Sequence, residues 1–575
     1  MTDWPRPAGT AGDISLIRTN LGAARADPRD CPLARSAKAR PLLHPEPSPP
    51  WPEKPLENFT LRVLMDALDM IECDRLPAEL VTERIWLTWG TLGRYGPPAH
   101  PGLLAWTIAV IPLYLAAREA DQRSRRLAGA PLTLPVRDEW VVQDKLSQPD
   151  ARGGLIYEQT AWGRRYAALD GSARDLWLLS FGAAKEDRPD PEKAAAAYNA
   201  ACGRPCTGGR GAQYDPVQDG ELHAGRMAFP GHVRVIEFGC GDGAFRQLLE
   251  LDQQEAGQKY AADARLVLAR VVDDSRAVPG SSCADCKVLA GCTTLVRGMD
   301  LLPLAPPARH TGRRSISASD LRAYKDCPAK YHLMRQLKLP DLRPERPEIT
   351  RGRAVDAWLN DRHLARPEGG CRALPGPADP SSWSAGKWRL SGQEAEDGAG
   401  MLAQHAFVCP LEGIEDHERV LVQHQLACYD PGLDLVIIAV PDLLHTRGGG
   451  WVWRETKTAS SRLWEGEPLL RRYPQLAVGV VMLAAGVLGG DLARSRVELE
   501  LLHADDLAFE ELDPSRPRVV TEAREVLAEF ARPWIEDYSF RAAPTKRSCH
   551  DCEALDWCQP GRDFLTADSV PAEER

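Results

Sequence analysis

Apolar residues recur every three or four positions over several long stretches of the first 300 residues, which is the spacing of one helix face. A short, almost unbroken apolar run, Val-Arg-Val-Ile-Glu-Phe, is instead typical of a buried strand. Glycine and polar residues dominate one segment before it and predict a loop. The predicted elements are helices at 57–72, 78–94, 102–127 and near 244–274, a loop at 204–222 and a strand at 233–238.

The second half alternates strand and helix patterns. After a proline-rich break at 302–307, Ser317 or Ser319 is suited to cap a helix that begins near Asp320. The patterns that follow predict strands at 419–428, 433–446, 451–457 and 496–503, and helices at 474–488 and 518–534. A mixture of this kind predicts an α/β fold.

The length of 575 residues indicates more than one domain. We place a boundary at the proline-rich break, which gives domains at 1–307 and 308–560. Proline and arginine are frequent at 27–56, which predicts an extended arm, and residues 561–575 are expected to form a flexible tail.

The composition is that of a globular protein, with 43% hydrophobic and 26% charged residues. The best candidate for a membrane span, 103–117, is short and interrupted by Pro112, and no secretory signal follows Met1, so we expect a cytoplasmic chain without a membrane partner. The net charge of −10 argues against non-specific binding of polyanions but leaves room for a local basic groove.

Two acidic residues and a lysine form the strongest candidate for chemistry. Asp442 ends an apolar strand pattern, and Glu455 and Lys457 follow 13 and 15 residues later on the next strand, where alternation places them on one face. Two converging carboxylates suit Mg²⁺ or Mn²⁺, and the lysine can activate water and stabilise phosphate charge. These parts fit metal-assisted phosphodiester hydrolysis. The alternative is a surface hairpin with a charged edge, because Asp-x12-Glu-x-Lys also arises by chance.

The 15 cysteines are odd in number and clustered, which favours a metal or a cluster over disulfides. A Ser-led helix pattern at 315–331 contains Cys327-Pro328, and Cys549-x2-Cys552-x5-Cys558 lies far downstream. Together with the Asp…Glu-x-Lys pattern, this combination resembles the PD-(D/E)XK nucleases of the RecB-like group. More narrowly, it resembles their iron–sulfur branch, which includes the AddB nuclease domain and the CRISPR-associated 4Fe–4S nucleases. The resemblance covers about 311–560.

The resemblance implies that Asp442, Glu455 and Lys457 are the catalytic triad and that Gln475 positions DNA or water. The family has a tyrosine four residues after this glutamine, where this chain has Gly479. The family's metal-binding histidine is replaced by Asp356, so the implied metal ligands are Asp356, Asp442 and Glu455. Asp356 can ligate Mg²⁺ directly; alternatively it faces solvent and activity is lost.

The resemblance further implies a [4Fe–4S] cluster on Cys327, Cys549, Cys552 and Cys558, with zinc as the alternative. Such a group would close a loop of 222 residues, so a structural role is expected.

The first half repeats the cysteine spacing. Cys283-x2-Cys286-x5-Cys292 follows a remote Cys31-Pro32, and we infer a second cluster and a duplicated fold: two related PD-(D/E)XK-like domains, each a mixed sheet flanked by helices with a cysteine knot. Counting back from Cys283 by the distance between Glu455 and Cys549 leads to a polar run near Pro189, and no Glu-x-Lys occurs in 1–307. We therefore interpret this copy as degenerate, able to bind DNA or a partner but not to catalyse hydrolysis. The alternatives are an unrelated domain with a zinc knuckle, and Cys202 or Cys206 as the fourth ligand.

The glycine-rich segment 239–243 resembles the loop of an S-adenosylmethionine methyltransferase, but the cysteine knot follows too soon for the rest of that fold. No phosphate-binding Gly-x4-Gly-Lys-Ser/Thr loop occurs, so a helicase or ATPase would be a separate subunit. The resemblance therefore implies an Mg²⁺- or Mn²⁺-dependent deoxyribonuclease, an exonuclease acting in DNA repair, recombination or defence against foreign DNA. The alternative is a catalytically inactive iron–sulfur protein that binds nucleic acid or serves as a scaffold.

Overall fold

The computed structural model describes residues 4–25, 27, 29–50, 52–90, 96–146, 154–209, 212–217, 229–309, 311–459 and 468–569. Up to residue 273 the strands are β1 Thr10–Ala11, β2 Leu16–Asn20, β3 His44–Pro45, β4 Thr133–Val136, β5 Glu139–Leu146, β6 Leu155–Thr160, β7 Arg164–Ala168, β8 Ala173–Ser180, β9 Arg204–Gly208, β10 Tyr214–Pro216, β11 His232–Gly239 and β12 Phe245–Leu251. The helices there are α1 Pro32–Lys38, α2 Thr60–Glu72, α3 Ala78–Gly90, α4 Pro101–Leu127, α5 Asp190–Cys202, α6 Gln253–Lys259 and α7 Arg265–Asp273.

The remaining strands are β13 Val296–Arg297, β14 Arg314–Ile316, β15 Ser382–Ala385, β16 Trp388–Ser391, β17 Val420–Val422, β18 Leu426–Asp430, β19 Leu435–Ala439, β20 Leu443–Arg447, β21 Gly450–Thr458, β22 Arg496–Leu502 and β23 Leu507–Leu512. The remaining helices are α8 Ala318–Asp326, α9 Pro328–Tyr331, α10 Pro347–Ala365, α11 Gln393–Ala406, α12 Leu469–Arg472, α13 Pro474–Ala484, α14 Pro517–Glu536, α15 Lys546–His550 and α16 Gln559–Ser569. The predicted α/β class is therefore observed as several mixed sheets flanked by helices.

Two five-stranded sheets share one arrangement. The second half has the order β17-β20-β21-β22-β23, in which only β21 and β22 are parallel. The first half contains one sheet of order β10-β9-β5-β6-β2 and a second sheet of order β4-β7-β8-β11-β12, in which only β8 and β11 are parallel. In each sheet a helix, α13 or α5, lies in the chain between the two parallel strands, because a parallel pair needs a crossover connection.

Small apolar side chains let these crossover helices lie close to their sheets. Helix α13 is apolar along its length and packs with β21, β22 and α14 in the largest core, where Trp453 and Trp534 are fully buried. Helix α5 contributes six buried alanines to the corresponding core of the first half. Burial of these faces is the main force that holds each helix on its sheet.

The two halves have separate main sheets but shared cores. Trp557 and Leu333 from the second half pack with Leu103 and Trp106 of α4. In the opposite direction, the segment around Cys283 packs on β18 and β19, and β13 pairs in parallel with β18. The boundary expected near 307 therefore separates two sheets, while the apolar contacts cross it.

Helix α4 is long and apolar enough to cross a membrane, but half of its apolar window is buried inside the protein. Its second half also carries charged side chains into the interior. There Arg118 pairs with Asp121, Asp121 also pairs with Arg234, and Arg125 pairs with Asp175. Buried apolar contacts and paired buried charges are typical of a helix in the core of a protein, which is how α4 is placed here.

Several predicted elements differ from the structure. Residues 245–251 form the edge strand β12 instead of the start of a helix, because half-exposed polar positions let this segment pair along β11. The loop at 204–222 contains β9 and β10, with 210, 211 and 218–228 outside the described residues. The arm at 27–56 includes α1, and the tail expected from 561 is helical to Ser569, with 570–575 outside the described residues.

We expect Trp557→Ala to destabilise the whole chain, because this side chain is only 7% exposed and lies in the core shared by both halves. Loss of a buried tryptophan should lower the free energy of unfolding by about 3–5 kcal/mol. Chemical denaturation followed by circular dichroism should show one transition at lower denaturant. Trp86→Ala, at a position 42% exposed, is the control and should cost about 1 kcal/mol or less. Two separate transitions, of which only one shifts, would contradict a shared core.

Candidate active site

A tight hairpin positions the three predicted catalytic residues. Strands β20 and β21 pair antiparallel and are joined through Gly448 and Gly449, both at positive φ. Pro441 cannot donate to a sheet and ends the preceding strand, so Asp442 lies at the bend directly before β20 instead of late in one long strand. The backbone N–H of Thr456 donates to Asp442 Oδ2 at 2.8 Å, which fixes the aspartate beside β21.

The lysine lies between the two carboxylates. Lys457 Nζ donates to Asp442 Oδ2 at 2.9 Å and to Glu455 Oε2 at 3.1 Å. The other oxygen of Glu455 accepts a hydrogen bond from Trp453 Nε1 at 3.0 Å. The side chain of Glu455 is 6% exposed and that of Lys457 is 34% exposed, so the cluster is held from inside and open on one side.

Burial and charge shift the proton affinities of this cluster. Burial raises the pKa of Glu455 to about 7, with Lys457 opposing the shift and Asp442 adding to it. Asp356 is exposed to solvent, yet desolvation by the groups around it raises its pKa to about 6, and the charge of Asp442 contributes to that rise. Although burial lowers the pKa of Lys457, the two carboxylates raise it well above its usual range. The lysine is thus charged at neutral pH, and the carboxylates carry more negative charge than it balances.

Asp356 extends from α10 toward the same cluster. Gln423 Nε2 donates to Asp442 Oδ1 at 3.1 Å and to Asp356 Oδ1 at 3.3 Å, so one amide group bridges the two aspartates. Asn360 donates to the other oxygen of Asp356 at 3.1 Å. Gln423 itself has φ of 48°, a left-handed conformation that non-glycine residues adopt rarely and often at functional sites.

Gln475 and Gly479 both lie on α13. Gln475 lines the same cleft as Asp442, Glu455 and Lys457. A Cβ atom at Gly479 would lie 3.0 Å from two ring atoms of Trp453. The tyrosine expected from the family is therefore excluded here by the indole ring, which also orients Glu455.

The cleft has a volume of about 640 Å³ and a basic rim. Arg322, Arg335 and Lys338 line it and are exposed, and no ion pair to them is found within the described residues. The acidic chain thus carries a local group of unpaired positive charges beside its carboxylate cluster. Such a rim attracts anionic substrates.

Each predicted set of four cysteines surrounds one small cavity. Cys327, Cys549, Cys552 and Cys558 line a space of about 10 Å³. Cys31, Cys283, Cys286 and Cys292 line another of about 10 Å³, whose lining includes neither Cys202 nor Cys206.

The two cavities share local structure. Cys31 and Cys327 each precede a helix that begins with proline. Each also accepts a backbone hydrogen bond from the segment before its knot, from Val278 at 3.3 Å and from Ala543 at 3.4 Å. N–H donors aimed at sulfur stabilise thiolates, which are the form that binds metal.

One further group escaped the sequence patterns. His363, Cys371, His405 and Cys409 present nitrogen and sulfur atoms that all lie within 4.8 Å of one another. The available signals were His-x7-Cys and His-x3-Cys, each spanning the end of a helix. Gln423 was also missed, and nothing in its sequence context distinguishes it.

Residues 315–559 match the family model described as the PD-(D/E)XK nuclease superfamily. The match covers less than half of the chain and includes Asp442, Glu455 and Lys457. The superfamily prediction is thus confirmed for this region, and nucleases of this superfamily use divalent metals. The iron–sulfur branch stays a prediction, and no curated protein matches the chain.

We expect the affinity for Mn²⁺ to rise from about pH 5 to about pH 8 and then level off. Protons compete with the metal for carboxylates, and those of Asp356 and Glu455 have pKa values of about 6 and about 7. Asp356→Asn should weaken binding at least about tenfold, and Asp356→His should retain it. Calorimetric titration of Mn²⁺ measures both effects, with Asp361→Asn, an exposed position of the same helix, as the control. An affinity independent of pH, or unchanged in Asp356→Asn, would contradict this ligand set.

Proposed function

We propose that residues 308–560 form a metal-dependent nuclease that hydrolyses phosphodiester bonds of DNA. The observation that carries this proposal is the position of Lys457 Nζ, within hydrogen-bond distance of both Asp442 and Glu455 in a cleft open to solvent. A structural salt-bridge cluster would need neither the open cleft nor the unpaired basic rim.

The donor set suits a hard divalent cation. Asp442, Glu455 and Asp356 offer carboxylate oxygens. The pKa values of Glu455 and Asp356 are raised by desolvation and by negative charge that one lysine does not offset. When bound, Mg²⁺ or Mn²⁺ would supply Lewis acidity and lower the pKa of a water molecule.

The chain's own groups have separable roles. Trp453 and Lys457 hold the two oxygens of Glu455, so this carboxylate is oriented before substrate binds. The Lys457 ammonium group, exposed on one side, can orient the attacking water and stabilise charge that develops on the phosphate. Gln475 at the cleft wall can position a nucleotide, and the basic rim binds the phosphodiester backbone.

DNA rather than RNA, action on chain ends, and a role in repair, recombination or defence follow only from the resemblance to RecB-like nucleases. Phosphate contacts from arginine and lysine carry no information about the sugar. Linear and circular DNA, in single- and double-stranded form, compared with RNA of the same length, separate these possibilities. A separate helicase or ATPase subunit is proposed as the partner that would supply unwound strands.

We infer that the first half is a degenerate copy of the same fold, supported by its matching sheet. Leu178, the position on β8 that corresponds to Glu455 by strand register, and its same-face neighbours Leu176 and Ser180 offer neither carboxylate nor lysine. Gly163 precedes β7 where Asp442 precedes β20. On this face the buried carboxylate is Glu237, which is paired with Arg188. This copy would therefore support binding or structure and not hydrolysis.

We further propose a [4Fe–4S] cluster on each set of four cysteines, with zinc as the alternative. Similar cavities, the Cys-Pro helix starts and the N–H groups directed at sulfur support two like sites. Each cluster would link a remote cysteine to the three cysteines near the end of the same half of the chain. Such a link restricts the unfolded chain and so stabilises the folded one.

We expect Lys457→Ala and Asp442→Asn to reduce cleavage by a factor of at least about 1000 while the far-ultraviolet circular dichroism stays unchanged. Lys457 is the counter-ion of both carboxylates, so the charge balance of the site is lost without it. Cleavage of labelled DNA with Mg²⁺ or Mn²⁺ is the measurement, and Lys387→Ala, at an exposed turn, is the control. Full activity in Asp442→Asn would overturn the triad, and no activity in the unaltered chain would favour the inactive scaffold.

We expect anaerobically purified protein to contain about eight iron atoms per chain and to absorb near ~400 nm. Cys552→Ser and Cys286→Ser should each remove about half of the iron, because each disrupts one set of ligands. Cys73→Ser, a half-buried thiol outside both sets, should leave the iron content unchanged. Zinc in place of iron in the unaltered protein would contradict the cluster assignment.

A further inference from the structure

Two helix ends of the second half bring two histidines and two cysteines together. His363 lies in the last turn of α10, and Cys371 follows in the short helix Gly370–Ala373. His405 lies in the last turn of α11, and Cys409 lies in the loop that follows this helix. Each helix thus contributes one imidazole and each following segment one thiol.

The distances between the ligand atoms are close to those of a tetrahedral metal site. The Nε2 atoms of His363 and His405 are 3.1 Å apart, and Cys409 Sγ lies 4.0 Å from His363 Nε2. All four ligand atoms lie within 4.8 Å of one another. Zinc bonds of about 2.0–2.3 Å place tetrahedral ligand atoms roughly 3.3–3.8 Å apart, so small side-chain shifts complete the site.

The surroundings orient these ligands. His405 Nδ1 is 2.7 Å from Glu500 Oε1, which favours the tautomer whose Nε2 lone pair points toward the other ligands. The N–H of Cys371 donates to Cys409 Sγ at 3.4 Å. His363, His405 and Cys409 are buried and Cys371 is partly buried, so no position is left open for substrate.

Charge also favours a cation at this place. Two thiolates and Zn²⁺ together are neutral, which suits a buried site. Arg454 pairs with Glu498 at 2.6 Å and lies 3.7 Å from Glu500, so one guanidinium is shared by two carboxylates and the negative charge of Glu500 also favours a cation nearby.

We propose that His363, Cys371, His405 and Cys409 bind one structural Zn²⁺ ion, separate from the cleft and from both cysteine knots. Two nitrogen and two sulfur ligands in a closed site are a typical donor set for structural zinc.

The site lies on the opposite face of the sheet from α13. It is next to α10, which carries Asp356, and next to β21, which carries Glu455 and Lys457. Seven residues, about two turns, separate Asp356 from His363 on α10, so the metal would anchor the helix that carries Asp356. Glu500 accepts a hydrogen bond from Thr456 Oγ1 at 3.1 Å, and Thr456 lies between Glu455 and Lys457. The zinc proposal does not rest on nuclease activity, because metal content and coordination are measured directly.

The test is elemental analysis of the full chain expressed with zinc and purified without chelator. We expect Cys409→Ser and His405→Ala to contain about one zinc atom per chain fewer than the unaltered protein, with unchanged iron. His405→Cys, which replaces one zinc ligand by another, should keep the metal, and Cys73→Ser is the matched control. Replacement of this zinc by Co²⁺ should give the strong visible band of tetrahedral cobalt with thiolate ligands, and that band should be absent in Cys409→Ser.

The unaltered protein provides a test that requires no variant to fold. Absence of zinc from it, or a Cys371–Cys409 disulfide that lowers the mass by two hydrogens, would overturn the proposal. Equal zinc content in folded Cys409→Ser would also overturn it, because the metal would then lie elsewhere. A failed cleavage assay would leave these results unaffected and bear only on the nuclease proposal.

Discussion

One ammonium group pairs with two carboxylates near the end of β21, the central strand of the main sheet, and the local structure is built around this shortage of positive charge. Lys457 balances Asp442 and Glu455, and among the described residues Asp356, bridged to Asp442 through Gln423, has no cation paired with it. Burial makes the imbalance costly, as the raised pKa of Glu455 indicates. Protonation or a divalent cation relieves it, and only the second leaves the carboxylates charged for catalysis.

Close packing on both faces of β21 keeps these groups in place. On one face Trp453 occupies the space that a side chain at position 479 would need, and its N–H holds Glu455. On the other face a Cβ at Gly352 would lie 2.9 Å from Thr458 Oγ1, so α10 approaches the strand closely enough for Gln423 to bridge Asp356 and Asp442. Gly352, Gly479 and the indole of Trp453 thus fix the distances between the carboxylates by close packing. Without this packing, charge repulsion would move the carboxylates apart.

The hairpin could be predicted because its signals, strand alternation and a glycine turn, are local. The grouping of Cys327 with a knot 222 residues away came from the family resemblance, because no local pattern links such distant residues. The expected strand at 433–446 is divided because Pro441 cannot continue a ladder, and its first part joins a different sheet. Strand β12 carries both polar and apolar residues at ambiguous spacing, so only its pairing with β11 distinguishes it from a helix. That pairing also makes 239–243 the turn of a hairpin, which excludes the strand–loop–helix unit of a methyltransferase. Gln423 and the His–Cys group depend on contacts between distant segments, which no single-sequence pattern contains.

The first half packs against elements that lead to the cleft, and these contacts give it a structural role whatever its own chemistry is. Its cysteine knot packs on Val436 of β19, the strand that leads through Pro441 to Asp442. Strand β13 extends the same small sheet by pairing with β18. In return, Trp557 beside the second knot fills the core under α4. Loosening the first knot would therefore loosen the segment that positions Asp442, and residues far from the cleft contribute to its geometry through packing alone.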